Sequence, residues 1–174
     1  VLVDSLNWQM GEEIIKNINS FPSGALRDVS DPHNGGTSNN NYWQPAKMSE
    51  FVQLQNTEDQ DYGGVHVNSG IPNFAFYNVA TSIGRFKAGK IWYKALTQYL
   101  TKNSEFLDAR IATQKAAIDI YGDGSAELQA VKNGWDAVEV FDGTATPAST
   151  TYELTGSEYV LVTNTDSNDN NSLY

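Results

Sequence analysis

The sequence contains no cysteine and only two histidines, His33 and His66, among its 174 residues. The lack of cysteine excludes disulfide bonds, thiolate metal ligands and cysteine nucleophiles from this chain. A catalytic zinc site usually takes three protein ligands, often histidines. The sequence therefore predicts that no histidine zinc site can be built from this chain alone, and that any such site borrows its ligands from elsewhere.

Basic residues are also scarce, because 11 Lys and Arg stand against 21 Asp and Glu, for a formal net charge of −10. Nucleic-acid backbones and anionic membrane surfaces are bound by basic faces, so the charge argues against both as partners. No apolar run approaches the roughly 20 residues of a membrane-spanning helix. Hydrophobic residues still make up 40% of the chain, which is enough for a folded core.

The distribution of charge and turn-forming residues divides the chain into 1–141 and 142–174. The second part contains acids but no Lys or Arg, and its run 143–151 is rich in Thr, Ser and Pro, as is typical of a linker. A strand-like run at 159–162 and an Asn-rich stretch follow. We expect a domain boundary near Asp142, followed by a linker and the start of a further module or a disordered, possibly β-containing acidic tail.

Residues 68–141 predict four consecutive helices, because apolar residues recur at helical spacing. The clearest stripe is that of the second helix, with Ile91, Trp92, Ala95, Leu96, Tyr99 and Leu100. Ser104 and Ser125 are predicted N-caps, and Gly122 is a predicted helix-ending glycine. Residues 17–65 show no sustained period. The fold is therefore expected to be mainly α-helical, with a long irregular N-terminal third.

The segment 61–73, DYGGVHVNSGIPN, is the most informative for chemistry. Gly63 and Gly64 permit positive φ angles or a close approach of the backbone. Asp61 lies across this turn from His66, near enough to hydrogen-bond one imidazole nitrogen and fix the tautomer. The other nitrogen can then donate a proton. The alternative is a loop histidine that a neighbouring carboxylate merely satisfies, and the spacing alone leaves both open.

Two further segments hold candidate binding residues. In ALRDVSDP at 25–32, Arg27 stands between apolar residues and could clamp a carbonyl or a carboxylate. The alternative is a structural ion pair with Asp28 or Asp31. In NWQMGEE at 7–13, oxygen-bearing side chains at alternate positions could contribute to a calcium site. The alternative there is a polar turn before a short helix.

Together these segments resemble the C-terminal domain of the thermolysin family of secreted zinc metalloendopeptidases. The matching motifs are GGVHVNSGI at 63–71, ALR and SDP within 25–32, Trp8 with Gly11 and Glu12, KIWYKALTQYL at 90–100, DIYG at 119–122, and VK with WDAV within 131–138. They span roughly residues 7–140. The resemblance implies an α-helical C-terminal domain of a thermolysin-like peptidase over 1–141, with the tail outside it.

The resemblance also implies roles for individual residues. His66 matches the histidine that stabilises the tetrahedral transition state, often described as a proton donor, and Asp61 matches the carboxylate that orients it. Arg27 matches the arginine that binds the substrate carbonyl on the primed side. Tyr62 occupies a position that can touch the substrate backbone.

Other positions are implied to shape the site. The apolar primed-side pocket would be lined by Leu26, Met10 and Ile14. Glu12 matches a calcium ligand of the family, so calcium is an implied cofactor beside zinc. Asn7 and Gln9, however, stand where family members usually carry acids, which places a double calcium site in question.

The resemblance implies half of an enzyme. In the family, the His-Glu-x-x-His zinc helix and the general base precede this domain, and no such motif occurs in the chain. We therefore expect a secreted zinc metalloendopeptidase that cleaves peptides or proteins, with its zinc ligands in a preceding N-terminal half. This chain alone is expected to be inactive. The alternative is a non-catalytic peptide-binding module of a degenerate or multi-domain secreted protein.

Overall fold

The computed structural model describes residues 7–15, 21, 23–35 and 43–143. The predicted strand-like run at 159–162 and nearly all of the predicted tail lie outside the described residues. No helix in the described part is both long and apolar enough to cross a membrane.

The N-terminal part is irregular where it is described, as predicted. Two short strands, β1 (Gln9–Met10) and β2 (Arg27–Asp28), form an antiparallel ribbon in which Met10 lies opposite Arg27. Short 3-10 turns occupy Glu12–Ile14, Pro32–Gly35, Met48–Glu50 and Glu58–Gln60. These turns follow one another without a regular period.

The rest of the described chain is helical. A distorted single turn, α1 (Asp61–Gly64), precedes the predicted helices α2 (Gly70–Ile83), α3 (Arg85–Gln98), α4 (Phe106–Tyr121) and α5 (Ala126–Ala137). Helix α2 packs on α3 and α5, and α4 packs on the same two helices. The four long helices therefore form a closed bundle of the kind that short connections favour. The prediction of a mainly α-helical fold is confirmed.

Trp135 of α5 lies at the centre of the bundle and is fully buried. Its indole Nε1 donates to Thr113 Oγ1 at 2.8 Å, which supplies the partner that a buried indole N–H requires. Trp92 of α3 stacks parallel to it, with ring centroids 6.1 Å apart. Further core side chains are Ile71, Val79, Ile91, Leu128, Val131 and Val138.

Two of the three predicted helix signals are confirmed. The Ser125 side chain accepts the backbone N–H of Leu128 and so caps α5, and Gly122, with φ of 93°, ends α4.

The prediction that Ser104 caps α4 is wrong. Glu105 is the N-cap and forms a reciprocal capping box with Asp108. The Ser104 hydroxyl instead accepts the backbone N–H of Thr101 at 2.9 Å and belongs to the preceding turn. The predicted stripe of α3 is also wrong at one position, because Leu96 is 66% exposed. Successive residues of an α-helix are about 100° apart around its axis, so Leu96 does not share the buried face of the residue before it.

Candidate active site

Asp61 and His66 meet across a tight left-handed turn. Asp61 and Tyr62 have φ values of 54° and 48°, and Gly63 and Gly64 both have φ of 85°. Glycine adopts this conformation without a steric cost. The turn folds the chain back on itself, and this brings the Asp61 carboxylate to the imidazole five residues later.

The Asp61 carboxylate accepts three hydrogen bonds. Its Oδ1 accepts from His66 Nδ1 at 2.5 Å, and its Oδ2 accepts from the backbone N–H groups of His66 at 2.8 Å and Val67 at 3.0 Å. Burial raises the pKa of Asp61, but these hydrogen bonds and the charge of His66 outweigh it, so the pKa is lowered overall. The ionised carboxylate therefore fixes the tautomer in which His66 Nδ1 carries a hydrogen.

The second ring nitrogen of His66, Nε2, is available to a ligand. The His66 side chain is 77% exposed, and Nε2 has no hydrogen-bonding partner among the described residues. With Nδ1 committed to Asp61, Nε2 accepts a hydrogen bond when the ring is neutral and donates one when it is protonated. The arrangement can deliver a proton or a hydrogen bond to a ligand oxygen.

The backbone of His66 is anchored by Gln44, a residue that no sequence motif singled out. Gln44 is 2% exposed, and its Nε2 donates to the His66 carbonyl at 2.5 Å. Ser69 Oγ donates to the same carbonyl at 2.7 Å. The one sequence signal is a glutamine within the apolar run WQPA at 43–46, and it is weak because glutamine is usually found on the surface.

Asn68 anchors the same loop on its other side. Its buried side chain accepts the Val52 N–H and donates to the Val52 carbonyl, both at 2.9 Å. A Cβ at Gly64 would lie 2.5 Å from Asn68 Nδ2, so a glycine is required there. The sequence pattern placed Asn68 at the start of a helix and gave no sign of this cross-link.

The predicted primed-side residues gather at the β-ribbon. The Met10 carbonyl accepts the Leu26 N–H at 2.9 Å, and Arg27 follows directly, with Nη1 donating to the Leu26 carbonyl at 2.9 Å. A Cβ at Gly11 would lie 2.9 Å from Leu26 Cβ and 3.5 Å from Ile14 Cδ1. Met10, Leu26, Ile14 and Arg27 are therefore neighbours, with Ile14 on the exposed side.

The alternative role predicted for Arg27 was a structural ion pair with Asp28 or Asp31. The Asp28 carboxylate organises the turn after β2: its Oδ1 accepts from the Ser30 hydroxyl at 2.6 Å and from the Asp31 N–H at 3.2 Å. This turn leads into the Pro32–Gly35 segment, whose Pro32 carbonyl accepts the Gln44 N–H at 3.2 Å. Gln44 thus links the turn after the ribbon to the His66 loop.

A groove of about 680 Å³ lies beside the His66 loop. Its walls include Phe51, Gly63, Gly64, Val65 and Phe106, but not the side chains predicted for catalysis or primed-side binding. The acid–histidine pair and the ribbon thus lie outside this groove.

Asn7 and Glu12 are in contact at the predicted calcium position. Asn7 Nδ2 donates to Glu12 Oε1 at 2.7 Å, and Gln9 Nε2 donates to the Ser23 carbonyl at 3.3 Å. Calcium takes six to eight oxygen ligands. Among the described residues, no group of three or more His, Cys, Asp or Glu side chains could hold a metal. A calcium site at Glu12 stays a prediction.

Each histidine is engaged by its own carboxylate. His33 Nε2 lies 2.8 Å from Glu50 Oε2, and the His33 ring stacks on Trp43 with centroids 5.2 Å apart. His66 is paired with Asp61 in a different part of the structure. The donor set of the described chain therefore does not fit a three-ligand zinc site.

The described chain is thus a helical domain in which a glycine turn presents a carboxylate-bonded histidine. The chain belongs to the thermolysin family, because residues 2–140 match the family model described as thermolysin metallopeptidase, alpha-helical domain. The resemblance read from the motifs is confirmed.

Several named proteases are similar to this chain. The extracellular elastase of Staphylococcus epidermidis is 44% identical over 138 residues, which cover 79% of this chain and 24% of the relative. The zinc metalloproteinase of Listeria monocytogenes is 40% identical over 134 residues, 77% of this chain and 24% of the relative. Thermolysin of Alicyclobacillus acidocaldarius is 39% identical over 145 residues, with 78% and 24% covered. The chain spans about a quarter of these relatives' length.

Proposed function

We propose that this chain is the C-terminal half of a secreted thermolysin-like zinc metalloendopeptidase and forms one wall of its substrate cleft. The observation that carries the proposal is the Asp61–His66 pair, in which a hydrogen-bonded carboxylate leaves an exposed imidazole nitrogen for a ligand. Relatives of the chain are named as an extracellular elastase and a zinc metalloproteinase. The substrate is a peptide or a protein.

In its protonated form, His66 donates a hydrogen bond from Nε2 to the scissile carbonyl oxygen as that oxygen gains negative charge. A preorganised donor of this kind contributes about 2.7–4 kcal/mol to transition-state stabilisation. Asp61 keeps Nδ1 protonated and holds the ring in place. The buried anchors of the loop support this role, because a donor acts best when it needs no reorganisation during the reaction.

Arg27 holds the substrate carbonyl on the primed side, and the apolar pocket next to it is lined by Leu26, Met10 and Ile14. Their clustering at the β-ribbon supports this assignment. Tyr62 directly follows Asp61 and is 55% exposed, and this exposure supports a contact between its side chain and the substrate backbone.

The metal ligands are proposed to belong to a preceding N-terminal half, because the donor set of this chain does not fit zinc. The purified 174-residue chain is therefore expected not to hydrolyse casein at any zinc concentration. Zinc-dependent turnover by this chain would contradict that expectation. Calcium is a second proposed cofactor, with Glu12 as one ligand.

The test is a set of substitutions in the full-length protein. His66→Ala should lower kcat by about 10²–10³-fold with little change in KM, because the donor acts on developing charge. Asp61→Asn should act in the same direction and more weakly. Arg27→Ala should raise KM, because it grips the substrate in the ground and transition states alike. Bound zinc should be unchanged in all three.

The control is Lys102→Ala, at an exposed position in the turn between α3 and α4, which should leave kcat of the folded protein within a few-fold of wild type. If His66→Ala kept the wild-type kcat, the catalytic role would be wrong. If Arg27→Ala then still weakened peptide binding, the non-catalytic peptide-binding module would be the better description.

A further inference from the structure

Gln44 connects the two parts of the candidate active site. Its side chain donates to the His66 carbonyl and, at 2.7 Å, to Ser69 Oγ. Its backbone N–H donates to the Pro32 carbonyl, at the end of the turn that follows the Arg27 ribbon. One buried residue therefore contacts both the loop with the proposed proton donor and the turn that follows the proposed substrate clamp.

The packing around Gln44 leaves it little freedom. A Cβ at Gly70 would lie 2.7 Å from Gln44 Cβ, 2.3 Å from the Pro45 carbonyl oxygen and 3.1 Å from Pro32 Cβ. The first residue of α2 thus rests directly against the backbone at 44–45. Close packing of this kind transmits displacement from one segment to the next.

A second acid–histidine pair, His33 and Glu50, contacts the segment that contains Gln44. Glu50 Oε2 accepts the Ala46 N–H at 2.8 Å and lies 2.8 Å from His33 Nε2. His33 belongs to the Pro32–Gly35 turn, and its ring stacks on Trp43. Burial raises the pKa of Glu50, but the bonds from His33 and Ala46, with the charges of His33 and Lys47, outweigh it and lower the pKa overall. Asp31, whose Oδ1 is 3.8 Å from His33 Nδ1, is the other charged group at this turn.

We infer that Gln44 is a positioning residue for His66, and that the His33–Glu50 pair locks Gln44 between the His66 loop and the Arg27 ribbon. This inference rests on the proposed function and assigns a further role at the same site. Gln44 does not touch the reacting atoms. It sets the place of the imidazole relative to the substrate, and a displacement of about 1 Å at a reacting group can cost on the order of 10²-fold in rate.

The experiment is Gln44→Met in the full-length protein, which keeps the volume of the side chain and removes its donor. We expect kcat to fall roughly ten- to a hundredfold, with KM changed by less than about threefold. Glu50→Leu should lower kcat in the same direction, and Glu50→Gln, which keeps an acceptor for Ala46, should lower it less. The matched control is Gln129→Met, at an exposed glutamine of α5, which should leave kcat unchanged.

A double-substitution cycle separates positioning from a general structural role. In a His66→Ala background, Gln44→Met should cause little further loss of kcat, because the group that it positions is already gone. An undiminished loss in that background would overturn the inference. So would a wild-type kcat for Gln44→Met in the presence of His66.

A milder variant keeps the test decisive if Gln44→Met does not fold. Ser69→Ala removes one donor to the His66 carbonyl and the acceptor for Gln44 Nε2, and it should lower kcat by a few-fold while KM is retained. An unchanged kcat for a folded Ser69→Ala would then count against the inference. The proposed function fails separately, since it requires only that His66→Ala lower kcat.

Discussion

Gly134 of α5 packs so closely on Val79 of α2 that a Cβ at position 134 would lie 2.4 Å from Val79 Cγ2. The same Cβ would also approach the Ala75 carbonyl oxygen at 3.1 Å. The absence of a side chain at this point lets the two helices meet, and this contact closes the ring of the bundle. Helix α2 begins four residues after His66. The contact therefore also holds in place the helix that follows the His66 loop.

Gly134→Ala is therefore expected to destabilise the protein by about 1–3 kcal/mol, because the added methyl group overpacks the α2–α5 contact. Gly89→Ala is the matched control, since Gly89 lies inside α3 with no atom near its would-be Cβ. That change should stabilise the protein by about 0.5–1 kcal/mol through helix propensity. Urea unfolding of the 174-residue chain, followed by circular dichroism, measures both. Equal changes in unfolding free energy for the two variants would contradict the close contact at Gly134.

The lowered pKa of Asp61 predicts a pH dependence of stability. Because the pKa is lower in the folded chain than in the unfolded chain, the ionised carboxylate stabilises the fold above pH about 4. This contribution is lost as the pH falls through the lowered folded-state value. The difference in unfolding free energy between wild type and Asp61→Asn should therefore be largest near neutral pH and shrink below pH about 4.

The control for this pH series is Asp59→Asn, at an exposed position in the turn before Asp61. Its unfolding free energy should stay within about 0.5 kcal/mol of wild type. If the difference in unfolding free energy between wild type and Asp61→Asn grew on acidification, its sign would be wrong for a carboxylate that is stabilised in its ionised form.

Tyr62 holds a left-handed conformation, with φ of 48° and ψ of 44°. A residue with a Cβ is disfavoured there by about 1–2 kcal/mol, whereas Asn tolerates the conformation better. Because the Tyr62 side chain is more than half exposed, Tyr62→Asn loses little burial and should raise the unfolding free energy by about 1 kcal/mol. Tyr93→Asn, at an exposed tyrosine of α3, should give no gain. A lower urea midpoint for Tyr62→Asn would show that the tyrosine side chain itself stabilises the turn.

Asp142 is held by the bundle through the buried Arg110 of α4. Arg110 Nη2 and Gln114 Nε2 both donate to Asp142 Oδ2 at 3.1 Å, and Arg110 Nη1 donates to the Val140 carbonyl at 2.7 Å. Asp142→Ala should cost about 1–3 kcal/mol, because it leaves a buried guanidinium N–H without its acceptor. Asp123→Ala, in the exposed turn before α5, should cost less than about 0.5 kcal/mol. A negligible effect of Asp142→Ala on the thermal midpoint would mean that this clamp does not contribute to stability.

The helices and the acid–histidine pair could be predicted from the sequence because their determinants are local. Apolar spacing sets the helical faces, Ser125 caps the helix that it precedes, and Asp61 reaches His66 across a turn that two glycines permit. Such signals act over a few residues, so they can be read without the fold. They fail where neighbours in sequence compete: Ser104 serves the preceding turn, and Glu105 takes its place as the cap of α4.

The sequence by itself determined that this chain is a helical domain with the thermolysin-family motif around His66, because those features depend on residues close together in the chain. Only the tertiary structure decided what holds that histidine in place. Gln44 is 22 residues from His66, and Asn68 bonds Val52 across 16 residues. Polar anchors of this kind leave no periodic pattern. They become visible only when packing brings a buried side chain to a backbone group distant in sequence, and such a side chain costs free energy if it is left unsatisfied.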